Sequence, residues 1–345
     1  IWVDEGSGFE EKASVTTGTS ITHTYVPPAS GLIQIKITAT INGFDFETAK
    51  DYAVTILQPV VVEDLPANVK AGINYDAADA SKVTLVLEAP NKDYVFVVGD
   101  FNNWVALDDY QMKKTPNGQY FWLEVIGLTP SQPYVFQYWV EDDVKVGDPY
   151  AEQTADPWND QWINTTTFPN IPFYDKTNYG FASVLQTGQA AYTWAPSEDT
   201  WERPEVNHVV IYELLVRDFI GSHSWEDLED SLAYIANLGV EAIEILPWNE
   251  FEGNESWGYN PAYYFATDKY YGTKEDLKHF IEVAHQHGLA VIMDVVMNHA
   301  FGQNPMVKMY FDQGTGTPAA NNPWFNKDYV GQYQWGYDWN HESPY

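Results

Sequence analysis

A carboxylate, an amide and an imidazole follow an apolar run of the chain, in the side chains of Asp294, Asn298 and His299. Residues 289–296 are predicted to form a buried strand, which places these polar groups around its carboxyl end. Enzymes built on parallel strands covered by helices carry their sites at that end. The segment therefore predicts a site for a polar ligand. The alternative is that Asp294 caps a loop and that His299 is an ordinary surface histidine.

A second candidate group is the loop segment Ser256-Trp257-Gly258-Tyr259-Asn260-Pro261. Gly258 lets the backbone turn tightly beside an aromatic residue. The Tyr259 ring can then form the floor of a sugar site, because the C–H face of a sugar packs on a flat aromatic ring. The alternative is that the aromatic residues of this loop only fill the mouth of the fold.

The composition favours a sugar ligand and excludes several other partners. The 345 residues include 14 Trp, 24 Tyr and 17 Phe, and rings beside carboxylates and amides suit sugar binding. The net charge of −32 repels nucleic-acid phosphates and anionic lipid, so no nucleic acid is expected as a partner. The absence of cysteine excludes disulfides and thiolate metal sites. No apolar run approaches the ~18 residues of a membrane-spanning segment.

The elements that position the two candidate groups alternate between strand and helix from about residue 206. Strands are predicted at residues 209–216, 240–246 and 289–296, with helices that begin after Ser224 and Thr273. Short apolar strands, each followed by an amphipathic helix, indicate a parallel sheet covered by helices. The connections after the second and third strands are long and rich in Trp, Tyr and Asn, as on the catalytic face of a (β/α)₈ barrel.

The N-terminal half is predicted to consist of β-structure. Residues 1–60 are expected to form part of a spacer-like β-sandwich module, with strands at 21–26, 32–38 and 52–57 and a hairpin turn at Asn42-Gly43. Residues 61–168 are expected to form a second β-sandwich, with strands at 83–87, 94–98, 120–125 and 134–140. Residues 169–205 are interrupted by Pro, Gly, Ser, Thr and Asn and are predicted to be a linker.

Together with Ile245-Leu246-Pro247, the two candidate groups resemble the alpha-amylase family of glycoside hydrolases. Residues 294–299 fit the first signature block of that family, and Trp257-Gly258-Tyr259 fits its sugar-platform loop. Tyr337-Asp338-Trp339-Asn340 fits a further short block. The resemblance covers residues 206–345 and implies a (β/α)₈ TIM barrel after the N-terminal modules. This chain would hold the first three β/α units and, at 300–345, the excursion after strand three.

The resemblance also implies roles for individual residues. Tyr259 and Trp257 would bind substrate, with the Tyr259 ring stacked on the glucose whose bond is cut. His299 would hydrogen-bond the hydroxyls of that sugar, and Asp294 would be a structural carboxylate of the site. Two more residues match calcium ligands of the family, namely Asn298 and Asp338.

Upstream, residues 97–104 resemble the G-x-F-N-x-W stretch of starch-binding modules that precede branching enzymes and isoamylases, and Gly147-Asp148-Pro149 fits the end of such a module. Trp104 would then stack on glucan. Residues 142–146 lack the second tryptophan of glycogen-binding relatives, so the alternative is that Trp104 is packed for structure only.

The catalytic carboxylates are expected outside this chain. Retaining glycosidases need two carboxyl groups about 5–5.5 Å apart. In the alpha-amylase family a nucleophilic Asp follows strand four, an acid Glu follows strand five, and a third Asp follows strand seven, all expected beyond Tyr345. The chain begins with Ile1 rather than Met. It is therefore expected to be a piece of a longer protein and to be inactive alone.

The predicted function is a retaining glycoside hydrolase that acts on α-1,4-glucans such as starch, glycogen and maltooligosaccharides. One alternative is a glucan branching or debranching enzyme of the same fold. Another is a non-catalytic glucan-binding surface protein. The β-rich array ahead of a polysaccharide-degrading barrel predicts a secreted or cell-surface location.

Overall fold

The computed structural model describes residues 1–18, 20–141, 144–332 and 334–345. Residues 142 and 143, at which the second tryptophan of the glycogen-binding relatives is missing, lie outside the described residues. Three regions follow one another along the chain: a small N-terminal sheet, a two-sheet sandwich, and a parallel sheet with helices. No helix in the described ranges combines the length and the apolar character that crossing a membrane requires.

The N-terminal region is one antiparallel sheet with the strand order β2-β1-β3-β4. Its strands are β1 Trp2–Asp4, β2 Phe9–Glu11, β3 Gly31–Ile41 and β4 Phe44–Val54. The predicted turn is confirmed, because Asn42 and Gly43 join β3 to β4 with φ of 53° and 82°. One prediction is wrong, because residues 21–26 form no strand. Among the described residues this region is a single sheet, and β4 is exposed along almost its whole length.

The sandwich is built from two antiparallel sheets, with the pairing β5-β6-β9-β8 in one and β11-β10-β13-β12 in the other, where β7 also pairs with β10. The strands are β5 Gly72–Tyr75, β6 Val83–Glu88, β7 Val95–Gly99, β8 Lys113–Lys114, β9 Tyr120–Val125, β10 Pro133–Val140, β11 Val144–Val146, β12 Thr154–Ala155 and β13 Ala182–Gln186. Alternate residues of β6, β9 and β10 point into one apolar core between the sheets.

The linker prediction for residues 169–205 missed strand β13. Ala182 to Leu185 are buried, and the strand pairs with both β10 and β12. The strand has a mostly apolar sequence of normal strand length, but the turn residues on both sides of it favoured a linker in the sequence interpretation. The second sheet of the sandwich is therefore completed by a strand from beyond the predicted boundary at residue 168.

The third region contains a parallel sheet in the order β14-β15-β16, with aligned register from Ile211, Ala242 and Ala290 onward. Its elements are β14 Ile211–Leu214, α1 Val216–Phe219, α2 Trp225–Glu229, α3 Leu232–Asn237, β15 Ala242–Ile245, α4 Lys274–Gln286 and β16 Ala290–Met293. The predicted parallel β-α-β-α-β order is confirmed. The first predicted helix is split into α2 and α3, and α1 begins inside the range predicted for the first strand.

The segment after β16 folds against the sandwich. It contains β17 His299–Ala300, α5 Pro305–Met309, β18 Phe311–Asp312, β19 Thr317–Pro318 and β20 Tyr337–Asp338. Short 3₁₀ helices complete the chain at Asp100–Asn102, Asp108–Tyr110, Asp160–Trp162, Pro196–Thr200 and Lys269–Tyr271. Side chains of α5 and its neighbours, including Val307 and Tyr310, belong to the same apolar core as the sandwich. The segment after β16 is therefore packed into the core of the sandwich.

Candidate functional site

The two candidate groups meet at the carboxyl end of the parallel sheet. Strands β15 and β16 run in the same direction, so the connections that follow them emerge at the same edge. The connection after β15 carries Trp257, Gly258 and Tyr259, and the one after β16 carries Asp294 and His299. The structure brings the latter two side chains onto Tyr259.

Tyr259 is held at its hydroxyl by Asp294. The phenol donates a hydrogen bond of 2.6 Å to Asp294 Oδ2. Burial of the hydroxyl, followed by this hydrogen bond, raises the pKa of Tyr259 well above its usual value, so the phenol keeps its proton and acts as the donor. The residue is 36% exposed. A fixed, partly exposed aromatic ring at this edge can serve as a stacking surface.

His299 holds the backbone of the same turn. Its Nε2 lies 2.9 Å from the Tyr259 carbonyl oxygen, and its Nδ1 lies 3.0 Å from Asn298 Oδ1. Because a carbonyl oxygen only accepts, Nε2 carries the proton of that bond. The side chain is buried. A direct bond from His299 to a sugar hydroxyl would therefore need one of these two contacts to open.

Two glycines allow this close approach. A Cβ at Gly258, where φ is +89°, would overlap the carbonyl oxygen of Pro247 and lie 2.7 Å from its Cβ. A Cβ at Gly336, where φ is +65°, would lie 2.7 Å from the Ala300 oxygen and 2.8 Å from His299 Cδ2. The tight turn predicted at Gly258 is confirmed, and its cause is the contact with the end of the second strand. Gly336 was not predicted to matter.

Further hydrogen bonds close the turn around Tyr259. Ser256 Oγ donates to Asn260 Oδ1 and accepts from Gly258 N at 3.0 Å. Asn260 Nδ2 donates to the Glu252 carbonyl oxygen at 2.7 Å. Trp257, beside Tyr259, is 58% exposed. The substrate-binding roles of Trp257, Tyr259 and His299 stay predictions, now with a defined geometry.

The structure also brings Asn298 and Asp338 side by side. Strand β17 pairs with β20, so that His299 lies opposite Asp338, and Trp339 N donates to the Asn298 carbonyl oxygen at 3.1 Å. Asp338 Oδ2 accepts from Asn326 Nδ2 at 2.7 Å. Calcium prefers six to eight oxygen ligands. Across the described ranges no group of three or more His, Cys, Asp or Glu side chains could hold a metal ion. Calcium binding therefore stays a prediction.

Trp104 lies far from this turn along the chain and is partly covered. Its Nε1 donates to Asp100 Oδ1 at 2.9 Å, its ring centroid lies 5.3 Å from that of Tyr174, and Lys176 Nζ lies 5.1 Å from the ring centre. These contacts fit the packing alternative for Trp104. Its predicted glucan contact is not tested by them.

A buried ionic cluster next to the Tyr259 loop was missed by the sequence interpretation. Lys269 Nζ lies 2.7 Å from Thr154 Oγ1, 2.5 Å from Glu250 Oε1 and 3.3 Å from Asp160 Oδ1. Lys269 is only 2% exposed. Burial alone would lower the pKa of Lys269, but the surrounding carboxylates raise it above its usual value. Burial raises the pKa of Glu250. Nothing in the local sequence distinguishes Lys269 from a surface lysine.

The comparisons with known proteins agree with the architecture. The family described as "Alpha amylase, catalytic domain" matches residues 217–338. The malto-oligosyltrehalose trehalohydrolase of Saccharolobus solfataricus is 32% identical over 180 residues, which cover 51% of this chain and 30% of that protein. The 1,4-alpha-glucan branching enzyme of Chlamydia trachomatis serovar D is 30% identical over 230 residues, covering 63% and 27%. The chain thus spans less than a third of the length of these relatives.

Among solved structures, a putative alpha amylase from Salmonella typhimurium superposes with a TM-score of 0.58 at 26% identity, covering 79% of this chain and 38% of that one. This likeness extends beyond the parallel sheet, since the parallel-sheet region alone is too short to account for it. The matched segment contains Tyr259, Asp294 and His299, in the order that the resemblance predicts. Residues 217–338 are therefore similar to the catalytic domain of the alpha-amylase family.

Proposed function

We propose that this chain supplies part of the substrate-binding wall of a retaining glycoside hydrolase that acts on α-1,4-glucans. The observation that carries the proposal is the presentation of Tyr259 at the carboxyl end of the parallel sheet, with its hydroxyl on Asp294 and its backbone carbonyl on His299. A ring fixed at two points loses little conformational freedom when a sugar stacks on it. The relatives named above act, by their names, on glucans or on glucan-derived saccharides.

In this proposal the residues of the chain bind and orient, and the bond-breaking carboxylates come from later strands of the full-length protein. An acid would protonate the leaving oxygen while a carboxylate attacks the anomeric carbon to give a glycosyl-enzyme intermediate. Tyr259 would hold the reacting sugar, and its stacking would be most favourable for the flattened ring of the transition state. Asp294 and His299 would keep the Tyr259 ring in place.

The first test is reducing-sugar release from soluble starch by the full-length protein. Tyr259→Ala should lower the rate by about two orders of magnitude, as expected when a positioning contact in a transition state is lost. Tyr259→Phe should keep most of the activity, because the ring remains. Tyr234→Ala is the matched control, since Tyr234 is 60% exposed on α3. Unchanged activity of Tyr259→Ala would contradict the proposal.

A branching or debranching activity is the second candidate, and the sandwich ahead of the parallel sheet together with the branching-enzyme relative favours it. Linkage analysis of the products separates the cases. A hydrolase leaves shortened α-1,4 chains, a branching enzyme makes new α-1,6 links, and a debranching enzyme removes them. Binding of glucan without any change in linkage would indicate the non-catalytic glucan-binding protein.

Calcium at Asn298 and Asp338 and a secreted or cell-surface location are further parts of the proposal. Calcium would join the end of the third strand to β20 through oxygen ligands. Calorimetric titration of the chelator-treated protein with calcium, in the wild type and in Asp338→Ala, measures the first. Fractionation of the source cells measures the second.

A further inference from the structure

A cleft lies beside the Tyr259 turn, between the sandwich region and the connection after β15. It has a volume of about 670 Å³. Its principal lining residues are Asn159, Trp162, Glu252, Asn254, Glu255 and Tyr270. Ser256 and Asn260, which bracket Tyr259 and close its turn, also line the cleft. The cleft is therefore continuous with the loop that carries Tyr259.

Two aromatic side chains dominate this cleft. Trp162 is 73% exposed. The ring of Tyr270 stacks on His223, with centroids 4.8 Å apart and an angle of 21° between the planes, and its hydroxyl donates to Glu255 Oε1 at 3.2 Å. Trp162 and Tyr270 also line an adjoining hollow of about 460 Å³ beside residues 221–227. The two rings thus stand in the middle of a longer groove.

The Trp162 side chain is exposed, and the turn that carries it is anchored. It ends the 3₁₀ helix Asp160–Trp162, and Asp160 forms an ion pair with the buried Lys269. The Asn159 carbonyl oxygen accepts from Trp162 N at 2.9 Å and, from across the cleft, from Asn254 Nδ2 at 3.1 Å. A large exposed ring on an anchored turn is costly to leave in water and is preorganised to receive a ligand.

The chemistry of the walls selects the ligand. The lining residues in the described part of the chain offer two carboxylates and several amides, and they include no lysine or arginine. Such walls repel anions and accept hydrogen bonds from hydroxyl groups, while the rings cover C–H faces. A neutral polyhydroxylated chain satisfies both. An extended sugar chain that passes over Tyr259 would reach this groove through Ser256 and Asn260.

We propose that Trp162 and Tyr270 form an additional sugar-binding position, which holds a distant part of an α-glucan chain whose other part lies at Tyr259. This inference rests on the proposed function and deepens it, because it makes affinity depend on chain length. Long glucans contact both places, whereas short oligosaccharides fill only the Tyr259 site. The Lys269 cluster acts on this position indirectly, by fixing the turn that carries Trp162.

The test compares two probes, maltotriose and maltoheptaose, titrated calorimetrically into the full-length protein. Trp162→Ala should weaken maltoheptaose binding about tenfold, as expected for the loss of one aromatic contact of about 1.4 kcal/mol, and should leave maltotriose binding within about twofold. Trp162→Phe should restore most of the loss. Trp194→Ala is the matched control, because Trp194 is 45% exposed and does not line the cleft.

Glu255→Ala serves as a second variant, since Glu255 is an exposed loop residue whose removal leaves the apolar cores intact. It should weaken maltoheptaose binding about threefold, the loss of a modest hydrogen bond. Wild-type affinity for maltoheptaose in both Trp162→Ala and Glu255→Ala overturns this inference while the proposed function stands. Failure of the wild type to bind either oligosaccharide overturns the proposed function itself.

Discussion

At the scale of single residues, the site depends on how closely backbone segments approach one another. Tyr259 contacts Asp294 and His299, and Gly258 and Gly336 leave room for those contacts. The residue types in this group were predictable from the sequence, since Gly beside an aromatic residue indicates a turn. The hydrogen-bond partners of Tyr259 were not predictable. They lie 35 and 40 residues away along the chain, and such contacts depend on how two separate connections pack together.

The residue-scale prediction concerns Gly258→Ala. A methyl group there meets Pro247 and the backbone keeps a positive φ, so we expect the free energy of unfolding to fall by about 2 kcal/mol or more. Gly239→Ala is the control, because Gly239 has a similar φ of +83° but open space around its Cβ position. Urea unfolding of both variants measures the difference. An equal loss in the free energy of unfolding of both variants would mean that the overlap with Pro247 does not destabilise the fold.

At the scale of elements, the helices begin and end close to the residues that the sequence predicts. Ser224 Oγ accepts from Asp227 N, and Thr273 and Asp276 form a complete capping box, as their spacing predicts. Gly239 and Gly288 have positive φ at the predicted helix ends. Strand edges were less predictable. A strand forms only where another part of the chain pairs with it. Residues 21–26 have the residue types of a strand but pair with no other strand, whereas β13 pairs with both β10 and β12.

An element-scale prediction tests the capping box of α4. Thr273→Ala removes the oxygen that accepts from Asp276 N, and we expect a loss of about 1 kcal/mol in the free energy of unfolding. Thr273→Ser keeps the hydroxyl and should stay within about 0.5 kcal/mol of the wild type, as is usual for exchanges that preserve a cap. Thermal and urea unfolding give both numbers. A Ser variant as unstable as the Ala variant would assign the effect to the methyl group instead.

At the scale of the whole molecule, the sandwich and the segment after β16 share one apolar interior. Val307, Tyr310 and Phe325 from the segment after β16 are buried with side chains of the sandwich. Gly147 allows the Tyr263 hydroxyl to approach, because a Cβ at that position would overlap it. The Lys269 cluster adds an ionic connection between the two regions. Local patterns predicted both regions separately, but carried no information about this interface.

Lys269→Met tests the ionic connection. The substitution leaves buried carboxylates without their cation, and we expect a loss of about 3–5 kcal/mol in the free energy of unfolding at neutral pH. Burial raises the pKa of Asp160, Glu250 and Asp268 in the folded protein, while the Lys269 charge lowers each of them. Removal of Lys269 therefore raises these pKa values further, so the folded variant takes up protons more readily than the folded wild type. The deficit should therefore shrink as the pH falls toward the ordinary carboxyl pKa and grow as the pH rises.

The control for this variant is Lys278→Met, which removes a partly exposed lysine 4.0 Å from Glu275. An exposed pair of this kind contributes about 0–1 kcal/mol, with little dependence on pH near neutrality. Unfolding curves of both variants at several pH values make the comparison. A Lys269 variant as stable as the Lys278 variant at pH 7 would show that the cluster does not connect the two regions energetically.

The shared interior also determines how the protein can be dissected. A fragment that ends just after β13 would lack Val307, Tyr310 and Trp324, so an unfilled apolar cavity would remain in the sandwich where those side chains had packed. Such a fragment should aggregate or unfold at a lower temperature, so the sandwich is not an independent module that can be transferred to another protein. Shuffling of these two regions by recombination would have to move them as a pair.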